Sequence, residues 1–236
     1  MYLALKKLMT DASKTLAPNS MGQFSLTLPA RPPRYDREHF VLSTANDAAW
    51  RASKAWVASG EPAMTICGPE GAGKTHLLHV LLAELGGAYI NDQTKLDPKI
   101  DNDLIGFDGA SMNPDPAEFL AKIEDILGAG RRLILVGRGQ PSEWAGGLKD
   151  LRTRLEAMPR AQMSEPDEAM LRAVMAKGFQ DRQVTVGKAV IEYAAVRLPR
   201  TFLAAHRFVE AADQAALNEK KKVSVQLAQK VLEDHF

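Results

Sequence analysis

The chain has one cysteine, few aromatic residues, almost no net charge and no long apolar run. The single Cys67 excludes an internal disulfide and is typical of proteins in a reducing compartment. Thirty basic residues balance 29 acidic ones, which excludes a strong nonspecific attraction to nucleic acid or anionic lipid. No stretch approaches the roughly 18 consecutive apolar residues of a membrane helix, and no signal-peptide pattern is present. These absences favour a cytoplasmic protein without a membrane partner.

The rest of the composition is that of an ordinary globular protein. Hydrophobic residues make up 45% of the 236 positions and charged residues 25%. That balance and length are sufficient for one large domain or two unequal ones.

The N-terminal part differs from the remainder of the chain. We interpret residues 1–22 as a flexible tail with only scattered apolar side chains. Three prolines fall within residues 29–36, where each removes a backbone donor and favours extended geometry before it. Residues 23–36 are therefore predicted to be an extended peptide and linker that precede the folded body.

Residues 37–165 are predicted to form an α/β domain with a parallel sheet flanked by helices. Short apolar runs alternate with segments of helical periodicity, which is typical of a sheet covered on both faces. The predicted strands are residues 63–67, 88–90, 104–107 and 133–136, with a weaker fifth at 161–163. A helix is expected over residues 43–59, with Ser43 or Thr44 as its N-cap.

Residues 166–236 are predicted to form a small all-helical domain. Four helical segments follow one another without a strand signal: residues 167–178, 187–198, 199–218 and 224–235. Pro166 and Pro199 are expected in the first turns of their helices, where proline is tolerated.

A phosphate-binding loop is the most specific motif. It stands between the apolar run 63–67 and a helical segment at 74–85, the context that such a loop requires. Its glycines allow backbone amides to converge on a phosphate at a helix N-terminus. Lys74 supplies a positive charge, and the Thr75 hydroxyl is suited to Mg²⁺. The motif consists of Gly68, Pro69, Glu70, Gly71, Ala72, Gly73, Lys74 and Thr75.

A second Mg²⁺ ligand is expected at the end of a neighbouring strand, and Asp108 follows the run 104–107. A turn aspartate before Gly109 is the alternative interpretation. Many related hydrolases carry an acidic residue in place of Gly109 that polarises the attacking water. The glycine therefore predicts weak or absent ATP hydrolysis by this chain.

The combined motifs resemble the DnaA-like AAA+ ATPases, and among them the short Hda regulators that lack the initiator's DNA-binding domain. The resemblance implies an AAA+ base domain, a helical lid, and ADP or ATP with Mg²⁺ as cofactors. The matching segments are residues 23–28, 74–79, 133–137, 150–155 and 199–202.

The first of these segments resembles the peptide by which such proteins bind the sliding clamp of the replisome. A glutamine is followed by alternating apolar side chains that would face a hydrophobic pocket. An edge strand has the same alternation and stays an alternative. The predicted clamp-binding residues are Gln23, Phe24, Ser25, Leu26, Thr27 and Leu28.

The resemblance implies roles for two arginines. Arg154 is similar in placement to the arginine finger, which acts in the nucleotide site of a neighbouring subunit. Arg152 is the nearby competitor, but the Arg-Leu pair at 154–155 matches the family pattern. Arg200 corresponds to the lid arginine, sensor II, whose planar group suits phosphate. An ordinary surface position is the alternative for both Arg154 and Arg200.

The sequence departs from the family pattern at Gly137-Arg138, where a polar water-positioning residue is usual. This departure also weakens the case for autonomous hydrolysis. The resemblance therefore implies a negative regulator of replication initiation that binds the clamp and stimulates ATP hydrolysis by DnaA. DNA would be reached mainly through the clamp, and self-association stays open.

Two other classes of function stay open. A self-sufficient ATPase or helicase loader would show turnover by the isolated chain that Lys74→Ala abolishes. A noncatalytic clamp-bound adaptor would retain clamp binding after Arg154→Ala and leave initiator-bound ATP unchanged.

Overall fold

A central sheet of five parallel strands organises the part of the chain that the structure describes. This structure, a computed structural model, describes residues 35–91, 96–97 and 99–236, all within one compact unit, Arg34–Phe236. The strand order is β2-β3-β4-β1-β5. The strands are β1 (Ala63–Gly68), β2 (Ala88–Ile90), β3 (Leu104–Asp108), β4 (Arg132–Arg138) and β5 (Arg160–Gln162).

The central strands are buried on both faces, which explains why they read as continuous apolar runs. In β1, Met64 and Ile66 enter one hydrophobic cluster, whereas Ala63 and Cys67 enter another. Successive side chains of a strand point to opposite faces, so the two clusters lie on the two sides of the sheet. The predicted parallel sheet flanked by helices is confirmed.

Four helices in the described ranges cover the sheet. They are α1 (Asp47–Ser59), α2 (Lys74–Leu85), α3 (Pro116–Gly128) and α4 (Lys149–Ala157). Buried side chains of α1 and α2 belong to the cluster that contains Met64. Those of α3 and α4 belong to the cluster that contains Cys67. The sheet is therefore the middle of three layers.

Helix α1 begins later than its apolar pattern predicts, and the expected caps Ser43 and Thr44 are wrong. The N-cap position is Asn46, whose side chain accepts from the Ser43 amide at 2.9 Å. The same side chain donates to the Val41 carbonyl at 2.9 Å. These bonds stabilise a turn over residues 43–46, so the helix begins only at Asp47.

Four further helices follow β5: α5 (Glu168–Asp181), α6 (Lys188–Ala195), α7 (Phe202–Glu219) and α8 (Val225–His235). They share a hydrophobic cluster of their own. Its members include Leu171, Met175, Phe179, Val190, Phe208 and Leu227. The boundary between two domains at residue 165 stays a prediction.

Pro166 and Pro199 lie before the helices and not in their first turns, which corrects the expectation. The N-cap of α5 is Asp167, whose carboxylate accepts from the Met170 amide at 2.7 Å. The N-cap of α7 is Thr201, whose hydroxyl accepts from the Ala204 amide. Acceptor side chains at these N-cap positions, one residue beyond Pro166 and two beyond Pro199, fix where each helix begins.

No helix in the described ranges has both the length and the apolar character needed to cross a bilayer.

Candidate nucleotide site

The predicted phosphate-binding loop connects β1 to α2, so it lies at the carboxyl edge of the sheet. Gly71 and Gly73 have φ angles of +72° and +88°, in the left-handed region that favours glycine. These conformations turn the chain sharply from the buried strand into the helix. The local fold therefore matches the requirement of the motif.

The start of α7 packs against this loop. A side-chain carbon added to Gly71 would lie 2.6 Å from Thr201 Cβ, and one added to Gly73 would lie 2.9 Å from the Phe202 ring. The Phe202 amide donates to the Gly71 carbonyl at 3.2 Å. Glycine is thus required at both positions by the close contact as well as by the backbone conformation.

Backbone amides of the loop are available to an anion. In the described part of the chain, no backbone carbonyl accepts from the amides of Gly71, Gly73, Lys74 or Thr75. The first amides of a helix lack partners within the helix, and they carry the positive end of its dipole. A phosphate would satisfy several of them at once.

Lys74 is buried beneath the loop, and its ammonium donates to two loop carbonyls. The distances are 3.0 Å to Gly68 O and 2.6 Å to Pro69 O. Burial lowers the pKa of Lys74, the Asp108 carboxylate opposes that effect, and the Arg138 guanidinium adds to it. A polyanion beside Lys74 would relieve this desolvation of a positive charge.

Thr75 and Asp108, the two residues predicted to hold Mg²⁺, contact each other. The Thr75 hydroxyl donates to Asp108 Oδ2 at 2.6 Å. Asp108 ends β3, whose register places it beside Val136 of β4. A hydroxyl and a carboxylate are oxygen ligands of the kind that Mg²⁺ prefers.

A cavity of about 430 Å³ opens at this edge of the sheet. It brings together several of the residues predicted from the sequence: Glu70, Gly71, Lys74, Thr75 and Asp108. The amide donors, the buried ammonium and the oxygen pair fit a nucleotide polyphosphate with Mg²⁺. Such a ligand would supply the electrophilic phosphorus, while the metal would neutralise charge on its oxygens.

An aromatic stack lies beside the pair Thr75 and Asp108. His79 of α2 stacks on Tyr35 at 4.6 Å and on Tyr89 at 4.3 Å between ring centroids. Burial and the Asp108 carboxylate raise the pKa of Tyr89 to about 12. Tyr89 therefore stays protonated at neutral pH and can donate a hydrogen bond toward Asp108.

Arg154 lies away from this cavity, on the exposed side of α4. Leu151 and Leu155 of the same helix are buried and hold it against the sheet. Within the described residues, the Arg154 side chain has no salt bridge or hydrogen-bond partner. Arg152 by contrast pairs with Glu156 at 3.0 Å. This difference separates the two candidates for the finger, whose role stays a prediction.

Arg200 also lies outside the lining of the cavity, and its guanidinium contacts Glu168 Oε1 at 3.4 Å. It directly precedes Thr201, which packs on the phosphate-binding loop. Its predicted contact with phosphate stays a prediction, as do the roles of residues 23–28, which lie outside the described residues.

Arg138 and Tyr89 both line the cavity, although no sequence motif predicts a binding role for either. Each lies at the carboxyl end of its strand or next to it. Ligands of open α/β sheets bind at this edge, so strand ends were the available signal.

Solved structures share this arrangement of strands and helices at low sequence identity. Domain III of the Thermotoga maritima replication initiation protein DnaA matches with a TM-score of 0.74 and 17% identity, over 86% of this chain and 97% of that chain. The T. maritima RuvB Holliday junction branch migration motor matches with a TM-score of 0.62 and 20% identity, over 79% of this chain and 66% of that chain. The chain therefore shares its fold with DnaA domain III and RuvB.

A third structure, the replication initiator DnaA bound to AMPPCP and single-stranded DNA, matches with a TM-score of 0.64. It is 17% identical over 80% of this chain and 69% of that chain. No protein-family model and no curated protein sequence matches the chain. Since a replication initiator and a branch migration motor both share this fold, the fold alone does not determine the function of the chain.

Proposed function

We propose that this chain is an Hda-like negative regulator of replication initiation. It binds ADP or ATP with Mg²⁺ in the loop formed by residues 68–75. It attaches to the DNA polymerase sliding clamp through residues 23–28 and reaches DNA through that clamp. Arg154 enters the nucleotide site of the initiator DnaA in the cytoplasm, and hydrolysis there ends the active state of the initiator.

The observation that carries this proposal is the contrast between an exposed Arg154 and a poorly equipped hydrolytic site. Arg154 has no partner among the described residues, and it stands on a helix held in place by buried leucines. In the chain's own site, Asp108 is followed by Gly109, which cannot polarise a water molecule. The chain is thus better suited to place an arginine in the nucleotide site of a partner than to hydrolyse its own nucleotide.

An arginine finger acts because its guanidinium neutralises charge that develops on the transferring phosphoryl group. A donor of this kind must be free of competing carboxylates, must be fully charged, and must sit on a rigid element. Arg154 meets the first and third conditions by its surroundings, and it meets the second because an arginine side chain is always charged in proteins. The fold that the chain shares with DnaA domain III supports a DnaA molecule as the neighbouring subunit that receives Arg154.

The test is the rate at which DnaA-bound ATP is hydrolysed in the presence of DNA-loaded clamp and this chain. Arg154→Ala is expected to reduce the stimulated rate by roughly two to three orders of magnitude. Arg152→Ala is the matched control, because Arg152 lies two positions away and already pairs with Glu156. Equal stimulation by wild type and Arg154→Ala would show that Arg154 does not act as an arginine finger.

Clamp attachment is tested separately by binding to the isolated clamp. Gln23→Ala is expected to weaken that binding and the clamp-dependent stimulation together. Stimulation that is unaffected by the loss of clamp binding would contradict the tethering role of residues 23–28.

A further inference from the structure

The Asp108 carboxylate accepts hydrogen bonds from hydroxyl groups of two different elements. The Thr75 hydroxyl of α2 donates to Asp108 Oδ2 at 2.6 Å, and the Tyr89 hydroxyl of β2 is also hydrogen-bonded to the carboxylate. All three residues line the cavity at the carboxyl edge of the sheet. The proposed finger and clamp attachment give Tyr89 no role.

The direction of the hydrogen bond between Tyr89 and Asp108 follows from its chemistry. An ionised carboxylate only accepts hydrogen bonds, so the Tyr89 hydroxyl is the donor. The same hydroxyl is hydrogen-bonded to the side chain of Asn91, which follows β2. A side-chain amide can donate to the phenol oxygen while the phenol proton goes to the carboxylate. The contact with Asn91 therefore leaves the Tyr89 proton directed at Asp108.

The register of the sheet sets the position of Tyr89. Strand β2 pairs in parallel with β3, and Tyr89 is aligned with Gly106. Alternate residues of a strand share one face, so Asp108 lies on the same face as Gly106 and Tyr89. A side-chain carbon added to Gly106 would lie 2.6 Å from Leu78 of α2. The shared face is therefore the one that α2 covers.

Helix α2 supports the ring of Tyr89 and also carries Thr75. The Tyr89 ring stacks on His79, with 4.3 Å between the ring centroids and 30° between the ring planes. His79 also stacks on Tyr35 at 4.6 Å, with 8° between the planes. His79 lies four positions after Thr75, so the two side chains are neighbours on one face of the helix. One face of α2 thus fixes both hydroxyl groups that contact Asp108.

We propose that Tyr89 is a positioning residue for Mg²⁺ bound with nucleotide, its hydroxyl holding the Asp108 carboxylate in the orientation in which that carboxylate serves the metal. Hydrogen-bond partners of a metal ligand fix its orientation, and their loss commonly lowers metal affinity by about 10- to 100-fold. A carboxylate without a fixed donor must lose side-chain rotation when the metal binds, a cost that a donor already in place reduces. This inference rests on the nucleotide-binding part of the proposed function and involves neither the initiator nor the clamp.

The experiment measures the dissociation constant of AMPPCP for the full chain by titration calorimetry, with a chelator and at a series of free Mg²⁺ concentrations. The quantity compared is the Mg²⁺ requirement, the free Mg²⁺ concentration that gives half of the full metal-dependent increase in affinity. Tyr89→Phe keeps the ring that stacks on His79 and removes the hydroxyl. We expect this variant to need about tenfold more Mg²⁺, whereas its affinity in chelator stays that of wild type. His79→Ala is expected to raise the Mg²⁺ requirement by a smaller factor, because the ring loses its support while the hydroxyl remains.

Tyr193→Phe is the matched control, since Tyr193 lies on α6 with its ring against the Arg197 guanidinium, outside the lining of the cavity. Thermal unfolding of each variant shows whether its fold is retained. An unchanged Mg²⁺ requirement in Tyr89→Phe, or an equal loss of affinity with and without metal, would overturn the inference while leaving nucleotide binding intact. Wild-type affinity that is the same in chelator and in Mg²⁺ would do the same. Failure of the wild-type chain to bind the nucleotide under any of these conditions would overturn the inference and the proposed function together.

Discussion

The Thr75 hydroxyl lies 2.6 Å from the Asp108 carboxylate, although 33 positions separate the two residues in sequence. One follows the loop after β1 and the other ends β3, with β4 between those two strands. The parallel arrangement brings both strand ends to one edge of the sheet and places a hydroxyl beside a carboxylate, the kinds of oxygen ligand that Mg²⁺ prefers.

Thr75→Val is expected to weaken binding of AMPPCP about tenfold when Mg²⁺ is present, because the hydroxyl ligand is lost. With the metal chelated, the same variant should bind like wild type. Thr75→Ser keeps the hydroxyl and serves as the matched control. Calorimetry with and without chelator measures these values, and an affinity loss that persists without metal would argue against metal ligation by Thr75.

Gly137→Ala is expected to lower the free energy of unfolding by about 1–3 kcal/mol, the usual cost of overpacking. The added carbon would meet the Trp144 ring at 2.6 Å and the Ser111 amide nitrogen at 3.0 Å. Gly128→Ala at the end of α3 is the control, since nothing lies within 4 Å of the added carbon. Urea unfolding compares the two variants, and equal stability would contradict close packing at Gly137.

Stability is expected to fall with acidification because of His76. Burial lowers the pKa of His76 below the ordinary 6.5, and its Nε2 lies 2.9 Å from the Asp36 carbonyl oxygen. The unfolded chain therefore takes up this proton at a higher pH than the folded chain. The contribution is fully present above about pH 6.5 and is lost as the pH falls toward the lower folded pKa.

His76→Gln should make the free energy of unfolding less sensitive to this pH change, as measured by urea unfolding on both sides of about pH 6.5. His235→Gln is the control, because His235 is exposed at the end of α8. The same pH dependence in His76→Gln and wild type would exclude His76 as the cause.

Cys67 is expected to resist thiol reagents in the folded protein. It is fully buried on β1, its thiol donates to Gln162 Oε1 at 3.1 Å, and burial raises its pKa from 9.0 to about 11. The shift alone lowers the thiolate fraction roughly a hundredfold near neutral pH. Because the chain has one cysteine, the absorbance change with a disulfide reagent reports this thiol alone. Rapid labelling without denaturant would contradict the burial.

Sequence patterns predicted the parts of the fold that local chemistry determines. The central strands are continuous apolar runs because both of their faces are buried. The conformation of the loop is predictable because its glycines adopt positive φ angles. The start of α1 was misplaced because the side chain of Asn46 bonds backward to Ser43 and Val41. Periodicity is insensitive to such hydrogen bonds.

The ion pair between Glu70 and Arg138 depends on the alignment of β1 with β4, and the stack of Tyr35, His79 and Tyr89 joins three separate segments. Side chains this far apart in sequence meet only once the register of the sheet is fixed. The roles of Arg154, Arg200 and residues 23–28 stay predictions for a different reason, since each depends on a ligand or partner.

The hydrogen bond from the Phe202 amide to the Gly71 carbonyl joins the loop to the first residue of α7. A movement of the Gly71 carbonyl when the loop binds an anion would therefore displace the first residue of this 18-residue helix. If ligand binding moves this contact, a protein bound to the C-terminal helices would change the affinity for the ligand by the same factor by which the ligand changes the affinity for that protein. The hydrogen bond of that single amide thus links the C-terminal helices to the loop that is predicted to bind nucleotide.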